Sequence, residues 1–380
     1  MTSLEQILDG ARILLCVGHG GVGKTTIAAS LATWAARHGR KTAVLTVDPA
    51  QRLKDTLGLG RGEGPRRVSL ASLGRGGRGA HLDAYLLDVK RTFDELIVGL
   101  ASPEQARIIL ENRLYQNLSG SLAGTAEYMA VERVYRLANE GGYDLVVVDT
   151  PPARHAVDFL DAPRRLLALL ESRVFGILKD PTSILPAGGS RLAHFVLDSV
   201  LRGLERFTGI GLVREIGDFV RAIDTLTVAL AARIRAVQAT LTGPGTALVL
   251  VAAPEPRLVD ETGALVEALA RTRLSIGGII VNRSLPRALF EASAADASAL
   301  DELPASLVAR LRRAHADLQG LAARQEAVLA PLVAKARAPI VGRVPLMTAG
   351  PGTLAELAAI GAHLFPEAEE PPARARGLAQ

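Results

Sequence analysis

A chain of 380 residues, 48% hydrophobic and 22% charged, carries ample apolar material for a buried core; a wholly disordered polymer is excluded, and one large domain or a core with a sizeable subdomain is expected. The formal charge of +5 and the pI near 9.6 come mostly from arginines spread along the sequence, the pattern of solvated faces. With Cys16 as its one cysteine, the chain can build neither an internal disulfide nor a thiolate metal cluster. The opening MTSLEQILDG lacks the basic and apolar stretches of a signal peptide, and no apolar run approaches the ~20 residues that cross a bilayer, so a cytoplasmic protein without an integral membrane segment is expected.

Ala11 to Val17 is a continuous apolar run, the pattern of a strand covered on both faces. A glycine-rich turn follows, then a helix from about Lys24 to His38, and Lys41 to Val47 reads as a second buried strand. Gly60 to Gly79, rich in glycine and arginine, is expected to be a mobile loop, with a third strand from His81 to Leu87 after it. Helical patterns fill Val89 to Glu140, broken near Ser119 to Gly124, and Asp144 to Val148 forms a fourth strand that ends on Asp149. Pro163 to Thr242 reads as helix, interrupted at Pro181, Pro186 and Gly188-Gly189. Ala247 to Ala252 and Ile276 to Val281 are further strands, with a helix from about Arg257 between them. A long helix from Pro304 to Arg337, a short strand from Ile340 to Val344 and a helix from Gly352 to Leu364 complete the ordered part.

Apolar strands alternating with helices predict an α/β fold with a mostly parallel sheet flanked by helices, plus a helical subdomain. The expected division sets 1–160 and 243–366 as the core, including a helical segment at about 89–140. It sets 161–242 as the helical subdomain and 367–380, rich in proline and charge, as a disordered tail.

Gly18-His19-Gly20-Gly21-Val22-Gly23-Lys24-Thr25 fits G-x-x-x-x-G-K-[ST] and lies between a strand and a helix, as a P-loop must. Its glycines let backbone amides turn inward around phosphate oxygens, and the helix N-terminus adds its dipole. Gly18, Gly20, Gly21, Val22, Gly23, Lys24, Thr25 and Thr26 are therefore the expected ATP-binding residues, with Lys24 on the β- and γ-phosphates and the Thr25 hydroxyl on Mg²⁺. Asp149 closes an apolar strand, where a carboxylate holds Mg²⁺ directly or through water. Asp48 follows the second strand in Asp48-Pro49-Ala50 and is expected beside the cradle too, as a second metal ligand or as the group that orients the attacking water.

Together these residues resemble the arsenical-pump and tail-anchored-protein-targeting ATPases, a branch of the deviant-Walker P-loop group, from Ile13 to about Leu364. The cradle is similar to that family's G-K-G-G-V-G-K-T, and Asp48-Pro49-Ala50-Gln51-Arg52-Leu53-Lys54-Asp55 to its first switch, D-P-A-H-S-L-S-D. Asp149-Thr150-Pro151-Pro152-Ala153-Arg154-His155 is similar to the second switch, D-T-A-P-T-G-H. Asn282 matches the asparagine that reads adenine, and Val344-Pro345-Leu346 resembles the loop over the base. The resemblance implies ATP hydrolysis with Asp48 positioning the water, and a dimer, of identical subunits or with a paralogue, closed by ATP. It also implies a hydrophobic protein client received by the helical subdomain.

Three departures stand out. His19 occupies the position of the family's signature lysine, which reaches across the dimer to phosphate; an imidazole is shorter and its charge conditional. His19 thus joins Asp48 and Lys24 in the expected catalytic set, while its replacement of lysine points to slow hydrolysis or to a partner that supplies the lysine. Arg154 stands where the second switch has glycine, and Asp158 where arginine is common. The chain has none of the cysteines with which the pump subunit holds As(III) or Sb(III), so no metalloid site is expected, nor a zinc-bridging C-x-x-C pair or an iron–sulfur cluster.

Ile216, Phe219, Val220, Ile223, Leu226, Leu230, Ile234 and Val237 form a stripe at helical spacing, as do Leu197, Val200, Leu201 and Leu204. Such stripes either pack on neighbouring helices or line a client groove; with three methionines, the chain lacks the adaptable lining typical of the latter. Arg61, Arg66, Arg67, Arg75 and Arg78 have no interleaved aromatic residues, so no nucleic-acid platform is expected. Two alternatives to a client-coupled ATPase stay open: a regulatory subunit that turns nucleotide over little, and a partition-type ATPase on DNA or membrane.

Overall fold

The computed structural model describes residues 3–47, 57, 66–73, 81–112, 115–116, 125–172, 210–272, 274–286, 303–347, 350 and 352–366. The apolar runs become strands, in chain order β1 (Ile13–Gly18), β2 (Lys41–Thr46), β3 (Arg66–Val68), β4 (His81–Leu86), β5 (Leu145–Asp149), β6 (Thr246–Ala252), β7 (Ile276–Ser284) and β8 (Ile340–Pro345). They form one eight-stranded sheet in the order β3-β4-β2-β5-β1-β6-β7-β8. Every neighbouring pair is parallel except β3 with β4. The expected α/β architecture with a mostly parallel sheet is thus observed. Strands buried on both faces need no polar alternation, which is why ILLCVG and LVVVD are buried throughout.

The helices are α1 (Leu4–Gly10), α2 (Lys24–Arg37), α3 (Val89–Leu100), α4 (Pro103–Glu111), α5 (Thr125–Asn139), α6 (Ala153–Leu170), α7 (Ile210–Leu241), α8 (Pro256–Leu269), α9 (Ala305–Ala336) and α10 (Leu354–Leu364). α2 is buried almost throughout, and its alanines at 28, 29, 32, 35 and 36 let it close tightly on its surroundings. At its far end Trp34 stacks between His38 and Phe365, with ring centroids 4.0 and 3.8 Å away. Gly361 of α10 lies where a Cβ would meet the Trp34 Cβ at 3.4 Å.

The chain divides into two compact units: Met1–Leu86, Leu137–Val157 and Pro244–Gln380 form one, Leu87–Arg136 and Asp158–Gly243 the other. The first holds the sheet. The second gathers α3, α4 and most of α5, α6 and α7, so the segment at 89–136 belongs with the helical unit, not with the core where the expected division placed it. The reason lies in its apolar faces: Leu96 of α3 and Tyr128 and Met129 of α5 are buried in one cluster with Ala162 of α6 and Ile234 of α7. Inside this unit the fully buried Glu132 accepts a 2.6 Å hydrogen bond from Arg233, whose guanidinium lies 4.1 Å from the centre of the Tyr135 ring.

The described part of the α7 stripe packs inward: Leu226 is buried with Ile97, Ala106, Ile109 and Tyr115, and Leu230 and Ile234 join the cluster around Tyr128. Side chains before Asp224, and Leu197 to Leu204, lie outside the described residues, as does the tail at 367–380.

Three local expectations change. Within Gly60–Gly79, Arg66–Val68 pairs as an edge strand and Ala71–Leu73 forms a 3₁₀ turn, because Arg67 makes a bidentate ion pair with Asp83 of β4 at 2.9 and 3.1 Å. Pro163 lies inside α6, which starts at Ala153; the missing amide removes one backbone bond without ending the helix. Between α3 and α4 the chain breaks at Ser102, whose hydroxyl accepts from the Gln105 amide in a capping box with Pro103 at the first turn. α1, capped the same way by Ser3 and Gln6, was not anticipated.

Candidate active site

β1 lies in the middle of the sheet between β5 and β6, and the chain leaves it for β2 on one side while later strands add on the other. The loop after β1 therefore stands where the strand order diverges, the position at which parallel sheets bind ligands. Glycine is required there. A Cβ on Gly18 would lie 2.4 Å from the Val251 carbonyl oxygen, and Gly23, at φ 91°, is in the left-handed region and would place a Cβ 2.2 Å from the Asn282 side chain. α2 starts directly after Gly23, which has no side chain to cap the first amides, so the positive end of a 14-residue helix faces the loop.

Lys24 is buried, its ammonium donating to the His19 carbonyl at 3.1 Å. The Thr25 hydroxyl donates to Asp149 Oδ2 at 2.6 Å, and Thr46, opposite Asp149 in the β2–β5 register, donates to the same oxygen at 3.0 Å. Asp149 is 1% exposed, so one carboxylate and two hydroxyls share a nearly dry corner beside the lysine. Cys16, opposite Asp149 on β1, feels that corner: burial first, then the Asp149 charge, pushes its thiol well above the usual range against the pull of Lys24. It stays a protonated core side chain. Thr150, next along, donates to the Cys16 carbonyl at 2.8 Å and ties the end of β5 to β1.

Asn282 sits at the end of β7 with its amide donating to the Val22 carbonyl at 2.8 Å and its Oδ1 accepting from the Arg283 amide at 2.9 Å. It braces the cradle from the far side. Pro345 ends β8 and Leu346, 64% exposed, donates its backbone amide to the Ser284 carbonyl at 2.8 Å. Pro345 also lines a cavity of about 550 Å³ with Ser284, Leu285, Arg343 and His363.

His19 is placed by two contacts. Its Nδ1 lies 2.8 Å from the Gly20 carbonyl oxygen and its Nε2 2.5 Å from the Glu261 carboxylate on α8. Of the second switch, His155 is exposed and Asp158 pairs with Arg165 at 2.6 Å. Asp48 and the rest of the first switch through Thr56 lie outside the described residues.

The structure thus brings together Gly18 to Thr25, Asp149 and Asn282. It adds Thr46 and Glu261, which sequence reasoning missed, and gives Thr150 of the second switch a bond to the Cys16 carbonyl. Thr46 carried a faint signal as the last residue of an apolar strand; Glu261 carried none, being one of several acids on an amphipathic helix.

A family described as anion-transporting ATPase matches residues 11–301. The chain is similar to the ATPase GET3 of Phaeosphaeria nodorum, 26% identical over 293 residues that cover 74% of this chain and 80% of that protein. It is also similar to ATPase get3 of Pyrenophora tritici-repentis, at 25% identity over 293 residues, with 74% and 77% covered. With ATPase get3 of Aspergillus terreus it shares 31% identity over 212 residues, 53% and 59% of the two chains.

Proposed function

This chain belongs to the anion-transporting ATPase family, and we propose that it binds Mg·ATP in the cradle of Gly18 to Thr25 and hydrolyses the β–γ phosphate bond as a switch. The observation that carries this reading is the 2.6 Å contact between the Thr25 hydroxyl and Asp149 next to the buried Lys24. A hydroxyl and a carboxylate are hard oxygen donors that fit Mg²⁺, which keeps several waters and takes few protein ligands. Bound there, the ion neutralises charge on the phosphates.

The chain's own groups do the rest. The loop amides and the α2 N-terminus hold phosphate oxygens, and Lys24 places its ammonium on the β- and γ-groups. Thr25 and Asp149 hold the metal; Thr46 and Thr150 fix the end of β5 that carries Asp149. Asp48, which follows β2 by two residues in the chain, is assigned the attacking water. The water oxygen bonds to the γ-phosphorus, the bridging oxygen leaves with ADP, and the water proton passes toward Asp48. Asn282, Pro345 and Leu346 are assigned to the adenine; Asn282 serves there while bracing Val22.

By resemblance the working unit is a dimer whose closure is coupled to a helical surface for a hydrophobic protein client. A second reading has one observation in its favour. His19 holds the signature-lysine position and is paired in cis with Glu261, which suits a subunit of low turnover that works with a paralogue. Calorimetric titration with Mg·ATP, followed by phosphate release with and without an added paralogue, tests both. Binding lost in Lys24→Ala supports the site; binding with negligible turnover alone favours the second reading; no binding by the intact chain sinks both.

A further inference from the structure

The two ring nitrogens of His19 face acceptors that own no hydrogen: a peptide carbonyl at Nδ1 and a carboxylate at Nε2. When the Nε2 contact forms, the Nε2–H donates to the Glu261 carboxylate, a hydrogen bond strengthened by the acceptor's charge. The Nε2–H is a single donor and serves one strong acceptor at a time. The loop it sits on is built for anions, with Lys24 bonded to the same residue's carbonyl and the α2 N-terminus behind it. A phosphate oxygen entering that loop is the other acceptor of comparable strength.

We propose that Glu261 is a positioning residue that competes with a phosphate oxygen for the His19 Nε2–H and so holds His19 away from the nucleotide until it is displaced. The proposal rests on the nucleotide-binding reading of the cradle. Val259, Thr262 and Val266 bury the inner side of α8, so the helix that presents Glu261 is set by packing and not by the histidine. Arg257, one turn earlier, lies 3.4 Å from the other Glu261 oxygen. With the His19 and Glu261 side chains 29% and 36% exposed, the pair is of the solvent-screened kind that exchanges readily. The latch is therefore weak enough for a triphosphate to open.

The test is a calorimetric titration of Mg·ATP into the full chain and into Glu261→Gln, Glu261→Ala, His19→Ala and the His19→Ala, Glu261→Gln pair, with melting of each nucleotide-free protein as the structural control. Both Glu261 variants are expected to bind roughly 3- to 10-fold tighter, since a charge-assisted competitor is removed. In the His19→Ala background the Glu261→Gln gain should vanish, a coupling that loss of α8 structure would not produce. Equal or weaker binding by both Glu261 variants overturns the latch. So does an equal gain in both backgrounds, which would mark plain removal of a charge near the phosphates. If the unaltered chain binds no Mg·ATP, the reading of the cradle itself has failed; if it binds and Glu261 makes no difference, only the latch has.

Discussion

At the carboxyl ends of the strands, Thr25 and Thr46 converge on one oxygen of Asp149, with Lys24 buried beside them at the mouth of a glycine loop. Toward the amino ends, Asp83 is held by Arg67 from β3, by the Tyr143 hydroxyl at 2.8 Å and by His81 at 3.5 Å, and Tyr85, further along β4, shares a 2.7 Å hydrogen bond with Tyr143. Arg40 closes the same end by donating to the carbonyls of Leu8, Ala11 and Asp144. The amino-end charges meet full-size partners from their own chain and tie edges and loops to the sheet. The carboxyl-end groups are small hydroxyls around a carboxylate, where packing alone would place apolar residues. Buried polarity that closes on itself speaks for stability; buried polarity gathered at a cradle speaks for a ligand.

Substitutions at the two ends should separate these roles. The largest effect is expected from Lys24→Ala, which removes an ammonium from the phosphates: the Mg·ATP dissociation constant should rise about 100-fold with little change in melting temperature. A parallel collapse of stability would place Lys24 in the scaffold instead.

Asp83→Asn at the opposite end should cost about 2 kcal/mol in urea unfolding and leave nucleotide affinity unchanged. Its acid behaviour sharpens the contrast. Burial raises the Asp83 carboxyl, but the Arg67 and Tyr143 hydrogen bonds and the Arg67 charge outweigh it and leave it below the ordinary 3.8. A carboxyl depressed in the folded state adds stability that is complete above 3.8 and drains away as pH falls through the lower folded value. The unaltered chain should therefore lose stability on acidification below about pH 4 more steeply than Asp83→Asn does. Parallel acid limbs would remove Asp83 from the account.

Asp149→Asn keeps the shape of the corner and removes its charge. Its signature should be the loss of about tenfold in the gain that Mg²⁺ gives to nucleotide binding, read by titrations with and without the metal. If the magnesium effect survives intact, another carboxylate holds the ion. The smallest effect belongs to Tyr85→Phe, about 1 kcal/mol of stability and nothing on binding, because Tyr143 keeps its bond to Asp83.

Much of this was legible from residues near one another in the chain. An apolar run followed by glycines and G-K-T announces strand, turn and helix within a few residues, and β1, the cradle and α2 appear where the pattern sets them. Asp149 was legible because it ends an apolar strand. β3 was not: Arg66–Val68 is short and mostly polar, and becomes a strand only because Arg67 reaches Asp83. The Ser102 and Ser3 capping boxes stand in the chain as S-x-x-Q. The assignment of α3 and α5 to the helical unit depended on which helices their apolar faces meet, which periodicity does not state.

The amino-acid sequence by itself determined the cradle, its lysine and threonine, and the parallel character of the sheet, since glycine conformations and apolar periodicity act over a few neighbouring residues. Tertiary structure alone decided that Thr46 joins Thr25 on Asp149 from 103 residues away, that Asn282 braces Val22 across 260, and that Glu261 claims His19. Such contacts depend on strand order and helix placement, and those follow from how the whole core packs, not from any one stretch of chain.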